Sequence, residues 1–270
     1  MDLKIFDVEH GACALLTSDN GTRIMIDCGH NASSGWYPGT YLQQQGISQI
    51  EMLTVSNYDE DHVSGIENLF WKINVASLTR NPTVSAPIIR KLKSEDGMGN
   101  GITSLTNYIE TRFTGGSTIG LVEHRGLQQH KWFYNSYPMF DDENNLSLIT
   151  FLSCHGIGVL FPGDLEAAGW RTLMQNSDFL NALRSTNILV ASHHGRKNGW
   201  CDELRQYCNP YYVVISDKGY MYDTQETIPL YRTIARGGPF RADGVRRVLT
   251  TRNDGRIGFT FTDPQHWNTY

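Results

Sequence analysis

Short apolar runs separated by polar turns recur along this chain and predict alternating strands and helices. Residues 3–8, 12–17 and 23–29 predict three strands that open an antiparallel sheet. Residues 51–56 predict a buried strand that leads directly into a helix over 65–72. Farther along, helices are predicted over 37–46, 165–174 and 179–183, and strands over 145–152, 157–164, 187–192, 211–216, 245–251 and 255–262. An Asn-Asp-Gly turn separates the last two strands, which is typical of a hairpin.

Residues that can bind a metal or carry a proton stand at the ends of five predicted strands. These are Asp27, the group Asp59, Asp61 and His62, then Asp164, the pair His193 and His194, and Asp217. In layered α/β proteins, ligands bind beyond the carboxyl ends of the strands. We therefore expect one site at one rim of a layered sheet.

The segment from about residue 90 to 143 is less regular and contains several glycines. We interpret it as a variable insertion or loop region near the site, within a single domain of residues 1–270. Its first residues, Arg90-Lys91-Leu92-Lys93, form a local basic run, which we interpret as a solvated face.

Composition and charge limit the classes of function that the chain can have. The chain has 270 residues, 40% of them hydrophobic, and a net charge of −5, so total charge does not predict non-specific binding to nucleic acid. Five cysteines without CxxC spacing indicate a reduced, intracellular protein rather than a disulfide scaffold. Neither a signal peptide nor a run of membrane-spanning length is recognisable, so we expect a cytoplasmic protein without a membrane partner.

Seven short motifs, in this order, match one known family. They are FDVEHG (6–11), IDCG (26–29), NYDEDHVSG (57–65), NNLSL (144–148), FPGDLE (161–166), SHHG (192–195) and TRNDG (251–255). With them the chain resembles the metallo-β-lactamase superfamily, and within it the ComEC-like branch of competence-protein hydrolase domains and their free-standing relatives. The resemblance implies an α/β fold, the αββα four-layer sandwich of the metallo-β-lactamase type.

The resemblance also implies a divalent metal, Zn²⁺ or Mn²⁺, at two unequal sites. Asp61, His62, Asp164 and His194 match one complete ligand set, and two carboxylates with two imidazoles suit either ion. At the second site the family's histidine positions hold Asn57, Asp59 and Asn145 or its neighbour Asn144. We expect one strong site and a second that is weak, oxygen-rich or empty, because neutral amides are poor zinc ligands.

Other residues receive roles around that metal. Asp61 would ligate it or orient the attacking hydroxide, and His193 would support the site or act as an acid near the leaving group. Asp27 would brace the motif loop through hydrogen bonds. Lys218 and Tyr222 could contact a phosphate of the substrate, or could equally be surface residues.

Two classes of function remain open. The resemblance favours a metal-dependent phosphodiesterase or nuclease that uses a metal-activated water, with a nucleic acid or nucleotide as substrate. The alternative is a catalytically reduced sensor or interaction subunit of a bacterial multi-protein, defence-type system with a protein partner. The aromatic stretch 132–140 would serve that alternative, unless its rings pack in the core. Hydrolysis of a carbonyl substrate ranks last, because such enzymes usually retain the histidines that are replaced here.

Overall fold

The structure is a computed structural model that describes residues 1–95, 97–115, 122–219, 227–264 and 266–270. Its strands up to residue 134 are β1 (Asp2–Ile5), β2 (Ala14–Thr17), β3 (Arg23–Ile26), β4 (Gln49–Ile50), β5 (Met52–Thr54), β6 (Asn74–Val75), β7 (Leu78–Thr79) and β8 (Leu127–Tyr134). The later strands are β9 (Leu148–Cys154), β10 (Ile157–Phe161), β11 (Thr186–Val190), β12 (Tyr212–Ile215), β13 (Gly238–Pro239), β14 (Val245–Arg246), β15 (Val248–Thr250), β16 (Ile257–Asp263) and β17 (His266–Thr269).

Short helices connect these strands. They are α1 (Pro38–Gln44), α2 (Glu60–Val63), α3 (Ile66–Lys72), α4 (Ala86–Leu92), α5 (Asn100–Thr111), α6 (Ala167–Leu173), α7 (Ser177–Arg184), α8 (Leu204–Tyr207), α9 (Ile228–Ile234) and α10 (Thr251–Asp254), with 3₁₀ turns at Ser192–Gly195 and Lys197–Gly199. Within the described residues, none of the helices is long and apolar enough to cross a membrane.

Two mixed sheets carry the fold. The described strands of the first run in the order β17-β16-β1-β2-β3-β5-β7, and those of the second in the order β15-β12-β11-β10-β9-β8. Apolar side chains from the facing sides of both sheets form one buried layer that includes Leu3, Ile24, Val159 and Phe259. The sheets therefore pack face to face.

Each sheet buries its outer face under helices. Side chains that alternate with the inter-sheet layer, such as Leu15 on β2, pack with residues of α1, α3, α4 and α5. On the other sheet, Phe151 of β9 packs with Trp170 of α6 and Phe179 of α7. The period of two along a strand sends alternate residues to opposite faces, so each strand contributes to both layers. The predicted αββα sandwich is confirmed.

One local expectation needs correction. The strands predicted over 245–251 and 255–262 do not form a hairpin, because β15 pairs in parallel with β12 and β16 pairs with β1 in the other sheet. The short helix α10 carries the chain between the sheets.

The less regular segment 90–143 contains α5 and the edge strand β8, which pairs antiparallel with β9. Its interpretation as a variable insertion stays a prediction.

Candidate metal centre

Parallel strands bring the predicted residues to one rim shared by both sheets. In the first sheet β3 and β5 are parallel, so Asp27 and the motif loop that carries His62 leave at the same end. In the second sheet β10 and β11 are parallel, which places Asp164 beside His194. The four side chains meet where the two sheets face each other. Asp217, the fifth predicted strand end, instead forms an ion pair with Arg252 at 3.0 Å.

The ligand atoms have the spacing of a metal site. His62 Nε2 lies 3.1 Å from Asp164 Oδ1, and His194 Nε2 lies 3.4 Å from Asp164 Oδ1 and 3.4 Å from Asp61 Oδ2. A tetrahedral zinc site with bonds of about 2.1 Å separates neighbouring ligand atoms by about 3.4 Å. Ligand atoms of Asp61, His62 and His194 all lie within 4.8 Å of one another. These three residues can therefore hold one divalent ion, with Asp164 beside both imidazoles.

The site also has the room and the unsatisfied chemistry that an ion requires. A cavity of about 30 Å³ is lined by Asp27, His62, Asp164 and His194, among other residues. That volume is about the share of one water molecule in the liquid. His194 Nε2 is buried and makes no hydrogen bond of good geometry within the described part of the chain. A buried polar atom without such a bond is costly, and a bound cation would satisfy it.

Asp27 fixes the orientation of His62. Its Oδ1 accepts a hydrogen bond from the Ser56 backbone N–H at 2.7 Å. Its Oδ2 lies 2.9 Å from His62 Nδ1 and also accepts from the Ser56 hydroxyl. A carboxylate on one imidazole nitrogen directs the other nitrogen toward a metal and raises its basicity. The contact that was predicted to brace the loop therefore holds a candidate ligand directly.

The His193–His194 turn is held in an unusual backbone conformation. His193 has φ 49° and His194 has φ 53°, both in the left-handed region. The His193 backbone N–H donates to the Gly163 carbonyl at 3.1 Å, and His194 Nδ1 donates to the Ser216 carbonyl at 3.2 Å. A carbonyl only accepts, so Nδ1 carries the proton and Nε2 is the atom that faces the cavity.

Opposite charges dominate the titration of the buried cluster. Burial alone would raise the pKa of Asp164, but His62 and His194 hold that pKa well below its usual range. Burial alone would lower the pKa of His62, but Asp164 and Asp27 raise it well above the usual value. The carboxylates and imidazoles therefore stabilise each other's charged forms, and a divalent ion would compete with protons for the imidazole nitrogens.

His193 lies beside the ligand set rather than in it. Its Nε2 is 3.8 Å from Asp164 Oδ2 and accepts a hydrogen bond from Arg196 Nη1 at 3.2 Å. Burial lowers the pKa of His193. A nitrogen that accepts from a guanidinium carries no proton itself, so the predicted acid role of His193 stays a prediction without support from this contact. Arg196 is a site residue that sequence reasoning missed.

The residues predicted for a second metal site make structural contacts. The Asn57 amide donates to Glu143 O and Ser147 Oγ, both at 3.1 Å, and accepts from the Asp59 backbone N–H at 2.8 Å. The Asn145 amide donates to the Asp142 carboxylate and accepts from Gly169 N at 2.9 Å. Both amides connect loops, and their role as metal ligands stays a prediction. Asn144, the neighbour of Asn145, donates to Glu166 at 3.1 Å.

A buried lysine contacts Asp59, one of the residues predicted for the second site. Lys93 follows α4, and its Nζ donates to the carboxylates of Asp59 and Glu143, the latter at 2.9 Å. The Lys93 side chain is only 7% exposed. Burial alone would lower the pKa of Lys93, but its hydrogen bonds to both carboxylates raise it. The interpretation of Lys93 as part of a solvated face is therefore wrong.

The predicted substrate contacts are only partly described. Lys218 Nζ lies 3.1 Å from Glu9 Oε1, and the lysine side chain is 41% exposed. Tyr222 lies outside the described residues. Glu9 precedes His10, whose pKa is lowered by burial and by the nearby charge of His194. Lys218 is thus anchored near the site by an acidic residue.

Comparison with known proteins agrees with this architecture, although no family model matches the chain. A metallo-β-lactamase fold protein, YhfI from Bacillus subtilis, superposes with a TM-score of 0.50 over 94% of this chain and 98% of that one, at 10% identity. The chain therefore has the metallo-β-lactamase fold. In sequence it resembles ComE operon protein 3 of Bacillus subtilis (strain 168), with 23% identity over 229 residues. That match covers 82% of this chain and about a quarter of the relative, 26% of its length. The expected resemblance to the ComEC-like branch is confirmed.

Proposed function

We propose that this protein is a metal-dependent hydrolase that cleaves phosphodiesters with a metal-activated water. One observation carries the proposal, namely that ligand atoms of Asp61, His62 and His194 lie within 4.8 Å of one another, with Asp164 beside both imidazoles. Two carboxylates and two imidazoles suit Zn²⁺ or Mn²⁺. A divalent ion in such a site lowers the pKa of a bound water to about 7 and polarises a substrate oxygen.

The chain's own residues prepare this chemistry. Asp27 and the Ser216 carbonyl each hold one imidazole by Nδ1, so both Nε2 atoms face the same point. Asp61 is the exposed member of the set, at 37% exposure, compared with 3% for Asp164. Asp61 is therefore placed to accept a hydrogen bond from the attacking water at the mouth of the site.

Charged groups around the mouth favour an anionic substrate. The Arg196 guanidinium lies against His193 beside Asp164, and Lys218 lies near His10. Guanidinium and ammonium groups bind phosphate oxygens through charge-assisted hydrogen bonds. The net charge of −5 opposes binding to long nucleic acid, so we propose a nucleotide or a short single strand as substrate.

Hydrolysis of bis-p-nitrophenyl phosphate and of short single-stranded DNA tests this function. With Mn²⁺ or Zn²⁺ we expect turnover that chelator abolishes and that His62→Ala and Asp164→Asn reduce by at least about 100-fold. His266→Ala is the matched control, because His266 is 75% exposed and pairs only with the exposed Asp263 in the described contacts. Turnover that survives chelator and both site variants would exclude the proposal.

The alternative of an interaction subunit gains no support from the aromatic stretch 132–140. Phe133 is buried in the core, Trp132 packs partly buried against the inter-sheet layer, and Tyr137 and Phe140 pack against the layer under α4 and α5. Of these rings Tyr134 is exposed, at 38%. The rings therefore serve packing more than they offer a docking surface. A protein partner and a cytoplasmic location stay predictions.

A further inference from the structure

We propose that the Lys93 ammonium is a built-in cation in the place of a second metal ion, so that the chain binds one divalent ion. This inference rests on the proposed metal centre, but it concerns the neighbouring position, where the resemblance implied a weak or empty site. The centre would then combine one exchangeable metal ion with the fixed positive charge of Lys93.

The contacts place Lys93 at that position. Asp59, two residues before Asp61, was predicted as the anionic ligand of the second site, and its carboxylate accepts a hydrogen bond from Lys93 Nζ. Glu143 accepts from the same ammonium at 2.9 Å, and its backbone carbonyl accepts from the Asn57 amide. The amide, the two carboxylates and the ammonium therefore form one connected cluster.

Pairing with Lys93 opposes a second ion. Two carboxylates around one ammonium leave a local charge near −1, whereas the same carboxylates alone would attract a divalent cation. A metal would need its oxygen ligands at about 2.0–2.6 Å. The Lys93 ammonium already uses the carboxylate oxygens of Asp59 and Glu143. A bound Mn²⁺ or Mg²⁺ would have to expel a paired, desolvated lysine, which is costly.

Removal of the ammonium would convert the cluster into a metal site. A groove of about 390 Å³ opens beside it, lined by Asp59, Glu60, Lys93, Ile102 and the segment 97–99. Water and an ion could reach the two carboxylates through that groove. Carboxylate oxygens, an amide oxygen and water are the ligands that Mn²⁺ and Mg²⁺ prefer.

The number of Mn²⁺ ions bound per chain tests this inference. Equilibrium dialysis with Mn²⁺ alone, followed by elemental analysis, measures that number. We expect about one ion per chain for the wild type and about two for Lys93→Ala and for Lys93→Met, which keeps the apolar stem. Lys91→Met is the matched control and should bind as the wild type does, because Lys91 is exposed and its Nζ donates to Tyr137 Oη. Two ions on the wild type, or an unchanged count in the folded Lys93 variants, would overturn the inference.

Three further variants keep the test decisive. Asp59→Asn in the otherwise native chain should leave the stoichiometry unchanged, because Asp59 holds the lysine, and loss of an ion would contradict this. His62→Ala should remove the single ion, and His62→Ala combined with Lys93→Ala should regain one. Failure of the proposed hydrolysis would instead leave these metal counts unchanged and remove only the turnover, so the two failures are distinguishable.

Discussion

The substitution Gly29→Ala probes how tightly the fold positions Asp61. Gly29 follows Asp27 and Cys28, and its N–H donates to the Ala12 carbonyl at 2.9 Å. A Cβ at this position would lie 2.3 Å from the backbone oxygen of Asp61 and 3.0 Å from that of Ala12. Both neighbours are backbone atoms, so no flexible side chain can move aside.

The expected size of the effect follows from that distance. The Asp61 carbonyl must retreat by about 0.7 Å to reach even 3.0 Å, in an interior packed as densely as a crystal. Functional groups must be held within about 0.5 Å of their productive geometry. We therefore expect metal affinity to fall by about 10- to 100-fold, as it does when a group that orients a ligand is lost. Overpacking adds about 1–3 kcal/mol of lost stability.

Calorimetry can separate the two effects. Titration with Mn²⁺ gives the metal affinity, and thermal unfolding of the ion-free protein gives the stability. Gly115→Ala is the control, because a Cβ there meets no atom within 4 Å. If Gly29→Ala bound metal within twofold of the wild type and kept its Tm, the Asp61 backbone would not be the constraint that positions the ligand.

Three other outcomes follow from the structure. Asp27→Asn should weaken Mn²⁺ binding by about 10- to 100-fold in the same titration, because it loses the carboxylate that contacts His62 Nδ1. An affinity within twofold of the wild type would count against that bracing role. Saturating metal at about 1,000 times its Kd should stabilise the fold by about 4 kcal/mol, which chelator should reverse in scanning calorimetry and His62→Ala should eliminate. The His130 ring packs against Trp132 in a tilted arrangement, with ring centroids 4.1 Å apart, and burial lowers the pKa of His130 to about 3. Between about pH 6.5 and pH 3 the unfolded chain protonates His130 whereas the folded protein does not, so the free energy of unfolding should fall by up to about 1.4 kcal/mol per pH unit toward pH 3. His130→Gln should flatten that slope in denaturant titrations.

The family resemblance supplied the candidate ligand set, and local strand-end signals indicated that its members would meet. Asp61, His62, Asp164 and His194 each follow a buried apolar strand, and strand pairing then brings the strand ends together. The layered fold could be predicted for the same reason. Asp27 was assigned its bracing role from its place at the end of β3, and its contact with His62 agrees with that role.

Some features depend on long-range contacts and could not be predicted from local sequence patterns. Lys93 lies 34 residues from Asp59 and 50 from Glu143, within a basic run that resembles an ordinary helix surface. Only the packing of α4 beside the motif loop reveals its partners. The Asn253-Asp254-Gly255 turn predicted a hairpin, but β15 is buried as an edge strand of the second sheet while β16 pairs with β1. Tertiary pairing overrides a turn signal when both strands have better partners.

Backbone strain is concentrated at the rim that carries the candidate metal centre. Among the described residues other than glycine, six have positive φ: Glu9, Asp27, His155, His193, His194 and Arg241. Three of these, Asp27, His193 and His194, follow strands whose ends meet at the candidate metal centre. Such conformations cost about 1–3 kcal/mol each and persist where the surrounding structure over-determines them. The contacts of Asp27 with Ser56 and His62, and of the His193–His194 turn with Gly163 and Ser216, therefore hold these side chains at the rim against that cost.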